Sequence, residues 1–562
     1  MAVRAGVPRT AGDHSPEVTS LWLRLHAPAQ PSLPASGHGR HTLHNAIGLT
    51  DVGQSPDPEP QSVSLALKLL VAAIAACVPA TAAEATARPN ILWIVVDDVS
   101  PHFSCYGERT IRTPHVDRLA QDGTRFSHAF VTAPVCSPCR SALITGCYQT
   151  SIGAHHHRSG RGVERIRLPD GVRPIPELLR EAGYYTCVGT GIPGESPGGE
   201  PTAAGSDLGK TDYNFEWRAG MYDGNDWAGR APGQPFFMQA QLAGGKLRGN
   251  TTTSAGRLAE RARREFGAAT DPDAVTLPPY YPRDPVLLAD WAAYLDAVRL
   301  TDEQVGRIVR RLEQEGILDE TLVVFLGDNG ISHARGKQFL YDEGTHVPLV
   351  VRGPGIPRGD TRDDLVEQID VAALTLAAAG IPRPPTLHGR DPFAPGQRRK
   401  DAVFAARDRC DETVDRIRSV RTDRFLYIRN FHPGRPLLQP NAYKDSKSIL
   451  ETLRALHAAG GLDGLQERLL FGPSRPSEEL YAWREDRWQA RDLAADPAHR
   501  LTLQELRSRL DDWMVTTGDR GPESEAMYDS DMAVYLAEPR DGRETVIRNN
   551  IALMKRWGRE GL

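Results

Sequence analysis

The chain has 562 residues, which is long enough for more than one domain, and 40% hydrophobic with 25% charged residues is ordinary for a globular protein. Its formal net charge of -5 gives no overall positive field of the kind that draws nucleic acid to a surface. Seven cysteines are too few for a disulfide scaffold in a chain of this length. We therefore expect a globular protein without a nucleic-acid partner, whose cationic sites are local.

The first 83 residues predict an export signal behind an unusual extension. Residues 1–62 are rich in Pro, Ser, Gly and His without periodicity, which indicates disorder or a start codon assigned too far upstream. Residues 63–83 combine a basic residue, an apolar run and a small-residue end, as secretory signal peptides do. Lys68 and Pro79 interrupt the run, so it predicts no stable membrane span. We expect a periplasmic or secreted protein, with lipoprotein anchoring through Cys77 as an alternative.

Two continuous apolar runs follow, at residues 91–96 and 322–326, and both predict strands buried on the two faces of a parallel sheet. Residues 290–314 lie between them and have the apolar spacing of a long helix. This alternation predicts an α/β sandwich, in which ligands bind at the carboxyl ends of the strands. The polar residues that follow the two runs are Asp97, Asp98, Asp328 and Asn329.

These four side chains offer hard oxygen ligands and no soft ones, which suits calcium or magnesium better than zinc or copper. Neighbouring aspartates at strand ends can instead cap helices or form turns, and taken alone the pattern favours that interpretation. A cysteine motif between the two strands changes the balance, because it adds a reactive group to the same edge of the sheet.

That motif is Cys136-Ser137-Pro138-Cys139-Arg140. Proline suits the first turn of a helix, so Cys136 is expected at the positive end of the helix dipole, with Arg140 returning about one turn later. Such a helix end favours an anion, and we expect an oxyanion pocket around Cys136. A Cys-x-x-Cys pair can also form half of a zinc site or a redox dithiol. The sequence offers neither a second ligand pair at zinc spacing nor a thioredoxin-like setting.

The motif and its Leu-Ile-Thr-Gly tail resemble the signature of type I sulfatases, in which the cysteine is oxidised to formylglycine; Cys139 replaces the more usual serine. The resemblance is strongest to the heparan N-sulfatase, or sulfamidase, branch. It implies an alkaline-phosphatase-like α/β sandwich over residues 88–395, with a large mixed, mostly parallel sheet between helices. It also implies a smaller C-terminal subdomain over residues 396–562 with a short antiparallel sheet, for which residues 424–429 and 479–481 predict strands.

The resemblance also implies a metal, for which calcium is favoured and magnesium is the alternative. The implied ligands are Asp97, Asp98, Cys136, Asp328 and Asn329. A hydrated aldehyde at position 136 would attack sulfur with one hydroxyl and expel sulfate after deprotonation of the other. Arg140 would hold this hydrate and the sulfate by charge-assisted hydrogen bonds. A formylglycine-generating maturation enzyme is the implied partner.

Further catalytic candidates follow from the same resemblance. Lys337 matches the family's sulfate-binding lysine. The family's Gly-Lys-Trp-His segment is absent, and Lys210 is the nearest substitute. The histidine that normally protonates the leaving group is also missing, and Lys246 occupies the corresponding place. The remaining candidates for the general acid are His333 and the triple histidine His155-His156-His157, of which His155 is expected near the site. General acid assistance is typically worth about 10²- to 10⁴-fold in rate.

The sequence thus predicts a sulfuric ester hydrolase that acts on a sulfated carbohydrate or an aryl sulfate, with sulfamidase activity as an option. Two alternatives stay open at this point. One is a phosphonate monoester or phosphodiester hydrolase of the same superfamily. The other is a non-catalytic sugar-binding relative, which the missing lysine and histidine segments would favour.

Overall fold

The structure is a computed structural model that describes residues 88–195, 208–538 and 542–562. The predicted extension at residues 1–62 and the predicted signal peptide at residues 63–83 lie outside the described residues. The described residues lie within one compact unit. Among the described residues, no helix combines the length and apolar character needed to cross a membrane.

A seven-stranded sheet forms the centre of the molecule. The strands up to residue 367 are β1 Asn90–Val96, β2 Thr124–Phe126, β3 Ala129–Phe130, β4 Tyr185–Gly189, β5 Phe236–Leu242, β6 Thr321–Gly327, β7 Leu349–Arg352, β8 Asp360–Arg362 and β9 Val366–Glu367. The large sheet has the order β4-β5-β1-β6-β7-β2-β8, and β3 pairs with β9 separately. Pairing is parallel from β4 through β6 and between β2 and β8, and β7 runs antiparallel to both neighbours. The sheet is mixed and mostly parallel, as predicted.

Strand β1 explains why the sheet has helices on both faces. Ile91, Trp93 and Val95 belong to the hydrophobic core on one face, and the alternate residues belong to the core on the other. Every residue of β1 and β6 is buried. Each fully buried large aliphatic or aromatic side chain contributes about 1.5–3 kcal/mol, so the two strands fix the sheet centre. The predictions at residues 91–96 and 322–326 are confirmed.

Helices cover the sheet. They are α1 Pro114–Gln121, α2 Cys136–Thr145, α3 Ile175–Glu181, α4 Thr252–Phe266, α5 Pro285–Gln314, α6 Asp342–Thr345 and α7 Asp370–Ala378. Helix α5 is the predicted helix of residues 290–314, and it begins five residues earlier than predicted. The earlier start has a local cause, because the Asp284 side chain accepts a hydrogen bond from the Val286 amide at 2.8 Å and Pro285 occupies the first helical position.

The C-terminal part contains the predicted antiparallel sheet. Its strands are β10 Ala402–Arg407, β11 Ile417–Thr422, β12 Leu426–Asn430 and β13 Glu478–Tyr481, paired in that order. The helices are α8 Ala442–Asp445, α9 Ser448–Ala458, α10 Gly464–Phe471, α11 Arg500–Thr516, α12 Glu525–Ala537 and α13 Glu544–Glu560. Helix α11 buries Leu506, Leu510 and Trp513 against this sheet. The boundary near residue 395 stays a prediction.

Candidate active site

The carboxyl ends of β1 and β6 meet, as the parallel register requires. The amide of Asp328 donates to the Val96 carbonyl at 2.9 Å, and the amide of Asp98 donates to Asp328 Oδ1 at 3.1 Å. Asp98 has a φ of 53°, in the left-handed region that is uncommon for residues other than glycine. The four predicted polar residues at these strand ends are therefore neighbours, and all are buried.

Helix α2 begins at Cys136, with Val135 in extended conformation before it and Pro138 at the third helical position. Cys136 therefore occupies the N-terminal end of the helix, where unpaired amides favour an anion. Its Sγ lies 3.8 Å from Asp98 Oδ1. Cys139 lies elsewhere, in an apolar cluster that includes Val131. All cysteines among the described residues are free, and Cys136 and Cys139 form no disulfide.

Arg140 ties the two strand ends together from the next turn of α2. Its Nε donates to Asp328 Oδ2 at 3.0 Å, and one terminal nitrogen donates to Asp97. The other terminal nitrogen donates to Gln241, near the end of β5. Burial opposes ionisation, but Asp97 and Asp328 outweigh it and raise the pKa of Arg140. The guanidinium therefore stays charged and fixes two carboxylates in place.

Three lysines surround Cys136 and the aspartates. Lys337 Nζ lies 2.7 Å from Asp98 Oδ1 and 2.9 Å from Cys136 Sγ. Lys246 Nζ lies 2.6 Å from Asp97 Oδ2 and 3.6 Å from Cys136 Sγ. Lys210 Nζ lies 3.0 Å from Asp97 Oδ2. The structure thus brings together all three lysines that the sequence singled out.

The charges decide which groups ionise. Burial opposes ionisation of Asp98, but Lys337 and Lys246 outweigh it and hold the pKa of this carboxyl below its usual range. Burial also opposes protonation of Lys337, yet Asp98 keeps its pKa well above the usual value. Burial and Asp328 raise the pKa of the Cys136 thiol, against the opposing effect of the lysines. An unmodified Cys136 is therefore a buried thiol and a poor nucleophile, because the thiolate is the reactive form.

Several oxygens at the strand ends fit a hard divalent cation. Asp98 Oδ2 and Asn329 Oδ1 are buried and have no hydrogen-bond partner. Ligand atoms of Asp98, Cys136 and Asp328 all lie within 4.8 Å of one another. A buried polar atom without a partner costs about 1–3 kcal/mol, and coordination of a cation would remove that cost. The donor set is dominated by carboxylate and amide oxygen, which calcium and magnesium prefer.

Lys246 reaches this site because two glycines let its backbone pass against the aspartates. The Gly245 amide donates to the Asp97 carbonyl at 2.9 Å. A Cβ at Gly244 would lie 2.3 Å from the Asp97 carbonyl oxygen, and one at Gly245 would lie 2.2 Å from the Asp98 carbonyl oxygen. Backbone oxygens cannot yield at that distance, so both positions require glycine.

Two residues near the site were not among the predicted site residues. Gln241 accepts from Arg140, and polar residues in the otherwise apolar β5 run could have indicated it. Asp212 accepts from Arg161 and lies 3.7 Å from Lys210 Nζ. Burial opposes ionisation of Asp212, but Arg161 and Lys210 outweigh it and hold its pKa well below the usual range.

The structure does not bring His155 and His333 to the lysine cluster. His155 Nε2 lies 2.8 Å from the Gly521 carbonyl oxygen, in the C-terminal part. His333 is buried against Tyr281, with ring centroids 4.3 Å apart, and burial lowers its pKa well below the usual value. The contacts recorded for these two side chains are thus with residues other than Cys136 and the three lysines.

Comparison with family models agrees with this geometry. A model described as Sulfatase matches residues 89–381, more than half of the chain. A second model, described as N-sulphoglucosamine sulphohydrolase, C-terminal, matches residues 333–435. The first match spans both strand ends and helix α2, and the second spans Lys337 and the start of the C-terminal sheet.

Two curated proteins are similar over most of their lengths. An ulvan-active sulfatase of Formosa agariphila is 30% identical over 487 residues, which cover 79% of this chain and 78% of that protein. The human N-sulphoglucosamine sulphohydrolase is 29% identical over 472 residues, which cover 77% of this chain and 91% of that protein.

Solved structures share the fold at lower identity. One, in complex with its substrate D-glucosamine-2-N,6-O-disulfate, has a TM-score of 0.53 at 19% identity and covers 78% of this chain and 100% of its own. The phosphonate monoester hydrolase of Agrobacterium radiobacter has a TM-score of 0.52 at 17% identity, covering 76% and 96%. With the family match and the site geometry, these findings show that the chain belongs to the sulfatase family, on its sulfamidase side, and is a sulfuric ester hydrolase with the alkaline-phosphatase-like fold.

Proposed function

We propose that this sulfatase releases sulfate from a sulfated carbohydrate, with residue 136 as the nucleophile after conversion of Cys136 to formylglycine. The observation that carries the proposal is the position of Cys136. Its Sγ lies at a helix N-terminus, 2.9 Å from Lys337 Nζ and 3.8 Å from Asp98 Oδ1. A nucleophile at this position would attack a sulfuryl group whose negative charge is offset by Lys337 and the helix N-terminus.

The carbohydrate class is supported by the relatives. The names of the ulvan-active sulfatase and the human N-sulphoglucosamine sulphohydrolase refer to sulfated sugars. An aryl sulfate is the simpler substrate class that the same site would accept, and N-sulfate hydrolysis is the option raised by the C-terminal model match. We place the carbohydrate first because both matched proteins span most of this chain.

Asp97, Asp98, Asp328, Asn329 and residue 136 would hold the divalent cation, calcium with magnesium as the alternative. When bound, the cation supplies positive charge that stabilises the developing charge on sulfuryl oxygens. Formylglycine, when formed and hydrated, supplies the attacking hydroxyl. Side chains of the protein would bind and orient the sulfate.

The three lysines differ in how far their side chains are buried. The Lys337 side chain is 5% exposed and contacts Cys136, so it would bind a sulfuryl oxygen at the base of the site. The Lys246 and Lys210 side chains are 34% and 20% exposed, on the side where the rest of a substrate would leave. Lys246 holds its proton at Nζ because Asp97, despite burial, raises its pKa well above the usual value. We assign Lys246 as the hydrogen-bond donor to the leaving oxygen, with Lys210 beside it.

Arg140 acts through the carboxylates. It donates to Asp97, Asp328 and Gln241, which engages three of its five N–H donors. We therefore assign it a positioning role in addition to the sulfate contact that the family resemblance implies. His155 and His333 are left out of the catalytic assignment, because their contacts lie elsewhere.

Maturation and export belong to the same proposal. Cys136 is 3% exposed and every residue of α2 is buried, so a formylglycine-generating enzyme must reach the segment before the chain folds. Modification during export would satisfy this requirement. It would agree with the signal peptide predicted at residues 63–83, which would direct the protein to the periplasm or outside the cell, with Cys77 anchoring as the alternative.

The test begins with mass spectrometry of the peptide that contains residue 136, after expression with a maturation enzyme. Formylglycine makes this peptide about 18 Da lighter than the thiol form, and an unmodified thiol in an active preparation would contradict the proposal. Sulfate release is then measured on sulfated glycans, an aryl sulfate and an aryl phosphodiester. Preference for the phosphodiester would favour the phosphonate hydrolase alternative, and no turnover of any substrate by the matured protein would favour a sugar-binding role. Chelation followed by calcium or magnesium decides the cation.

A further inference from the structure

A second group of potential ligands lies outside the sulfate site. His155 and His156 belong to the loop that follows α2, and Asp408 follows β10 directly. Their potential ligand atoms all lie within 4.8 Å of one another. The two histidines are each 6% exposed and Asp408 is 2% exposed, so the group is buried.

The hydrogen bonds around this group leave its inner atoms without partners. His155 Nε2 lies 2.8 Å from the Gly521 carbonyl oxygen, which can only accept, so Nε2 carries the proton and Nδ1 carries a lone pair. That Nδ1 has no hydrogen-bond partner, and neither ring nitrogen of His156 has one. Asp408 Oδ2 accepts from Arg418 Nη1 at 3.0 Å, whereas Asp408 Oδ1 has no partner.

The neighbouring group of His157, Cys410 and Asp411 provides a contrast. There His157 Nδ1 lies 3.1 Å from Asp411 Oδ1, so the ring nitrogen already has a partner. At the His155 group, each of the three residues offers a potential ligand atom, and four of their polar atoms have no hydrogen-bond partner. Buried polar atoms without partners are unfavourable, so their concentration in one group indicates that something binds there.

We propose that His155, His156 and Asp408 bind a zinc ion. Two imidazole nitrogens and one carboxylate oxygen are a common zinc donor set, with water at the fourth position. The partner of His155 also fits, because a metal-bound histidine usually donates a hydrogen bond from its other ring N–H to a carboxylate, a carbonyl or water, as His155 does to the Gly521 carbonyl. The Arg418 charge beside Asp408 is itself offset by Asp519, 2.5 Å from its Nε.

This site differs from the sulfate site in its ligand atoms and in the segments that it joins. The sulfate site offers mainly oxygen ligands, whereas the second group offers imidazole nitrogen, so the two select different metals. A zinc ion here would join the loop after α2 to the segment after β10, and through His155 to Gly521 beyond α11. Zinc bound there would stabilise the folded state, because its three ligands are brought together only in that state.

The experiment measures metal by inductively coupled plasma mass spectrometry on the full chain, after chelation, dialysis and return of zinc. We expect about one zinc ion per chain in the wild type and a loss of most of it in His156→Gln and Asp408→Asn. Zinc should also raise the Tm of the wild type and not that of the variants. Cobalt(II) substitution should give tetrahedral d–d absorption that the same variants abolish.

Two control variants locate the ion. Cys410→Ser alters the neighbouring group and should keep full zinc content, whereas loss there would overturn the assignment to His155, His156 and Asp408. Asp97→Asn alters the sulfate site and should also keep its zinc, so failure of that site and of this one are distinguishable. Zinc content no higher in the wild type than in His156→Gln would overturn the proposal, and water would then be the partner of these atoms. Circular dichroism of each variant checks that it folds.

Discussion

Buried charges occur in two regions of this molecule, and they serve different purposes. In the C-terminal part, Arg409 binds Glu523 and Asp531, and similar pairs link Arg407 and Arg475 to Asp415. Around Cys136, four cations face three carboxylates and two oxygens have no partner. Burial of charge therefore does not mark an active site in this fold. What distinguishes the region around Cys136 is that three lysines and one arginine gather around this cysteine and Asp97, beside two partnerless oxygens of the kind that bind a hard cation.

The largest expected effect is on activity, from a substitution in the region around Cys136. Cys136→Ala removes the group that we propose is converted to the nucleophile, and we expect sulfate release to fall by at least about 10⁴-fold. Tm should change little, since the side chain is small and forms none of the ion pairs that hold the strand ends. Cys139→Ser is the matched control, because Cys139 lies in an apolar cluster. Equal losses in both variants would show that the motif acts through folding alone.

The second effect is on stability, from a substitution among the buried ion pairs of the C-terminal part. Arg409→Met leaves Glu523 and Asp531 as buried, uncompensated carboxylates, and we expect about 3–5 kcal/mol of lost stability. Denaturant unfolding measures this loss, and kcat of the folded fraction should change far less than in the Cys136 variant. A loss below 1 kcal/mol would mean that the two carboxylates become protonated or hydrated at little cost.

A smaller effect sharpens the assignment of the exposed lysines. Lys210→Ala removes a cation that we place beside the bound sulfate, and we expect kcat/KM to fall by about 10²- to 10³-fold. Lys210→Arg should recover part of the activity, since it restores the charge with a different geometry. If both variants have wild-type kinetics, Lys210 serves only to balance Asp97, as the arginines of the C-terminal part balance their carboxylates.

The smallest expected effect comes from a solvent-exposed ion pair, which serves as the reference for the buried ones. Arg429 pairs with Asp511, whose side chain is 52% exposed, so solvent screens the pair. We expect Arg429→Met to cost about 0.2–1 kcal/mol in denaturant unfolding and to leave kinetics unchanged. A loss as large as that of Arg409→Met would mean that exposure does not separate the two kinds of pair.

The sequence was informative where burial or position along a strand decided the outcome. Strands β1 and β6 were predicted because both faces are buried, which leaves a continuous apolar run. The parallel pairing then placed Asp97 beside Asp328 without further information. Lys210 and Lys246 were predicted from their positions within a family pattern although neither matches it fully, and the structure places both at Asp97.

The sequence was less informative where a side chain's direction decided the outcome. His333 lies four residues from Lys337, yet its ring turns away and packs on Tyr281 and Trp291. Those partners come from the segment before and within α5, and spacing along the chain carries no information about them. Gln241 was missed for the same reason, because its role depends on the neighbouring β1 and on Arg140.

The two glycines before Lys246 link the position of this lysine to the position of the acidic turn at Asp97 and Asp98. Because the backbone at Gly244 and Gly245 touches the carbonyls of Asp97 and Asp98, any side chain added there would displace the acidic turn and the lysine in one event. Substitution of either glycine would therefore disturb the proposed leaving-group donor and the proposed cation ligands together. Substitution of Lys246 itself is the way to vary that donor while the acidic turn stays in place.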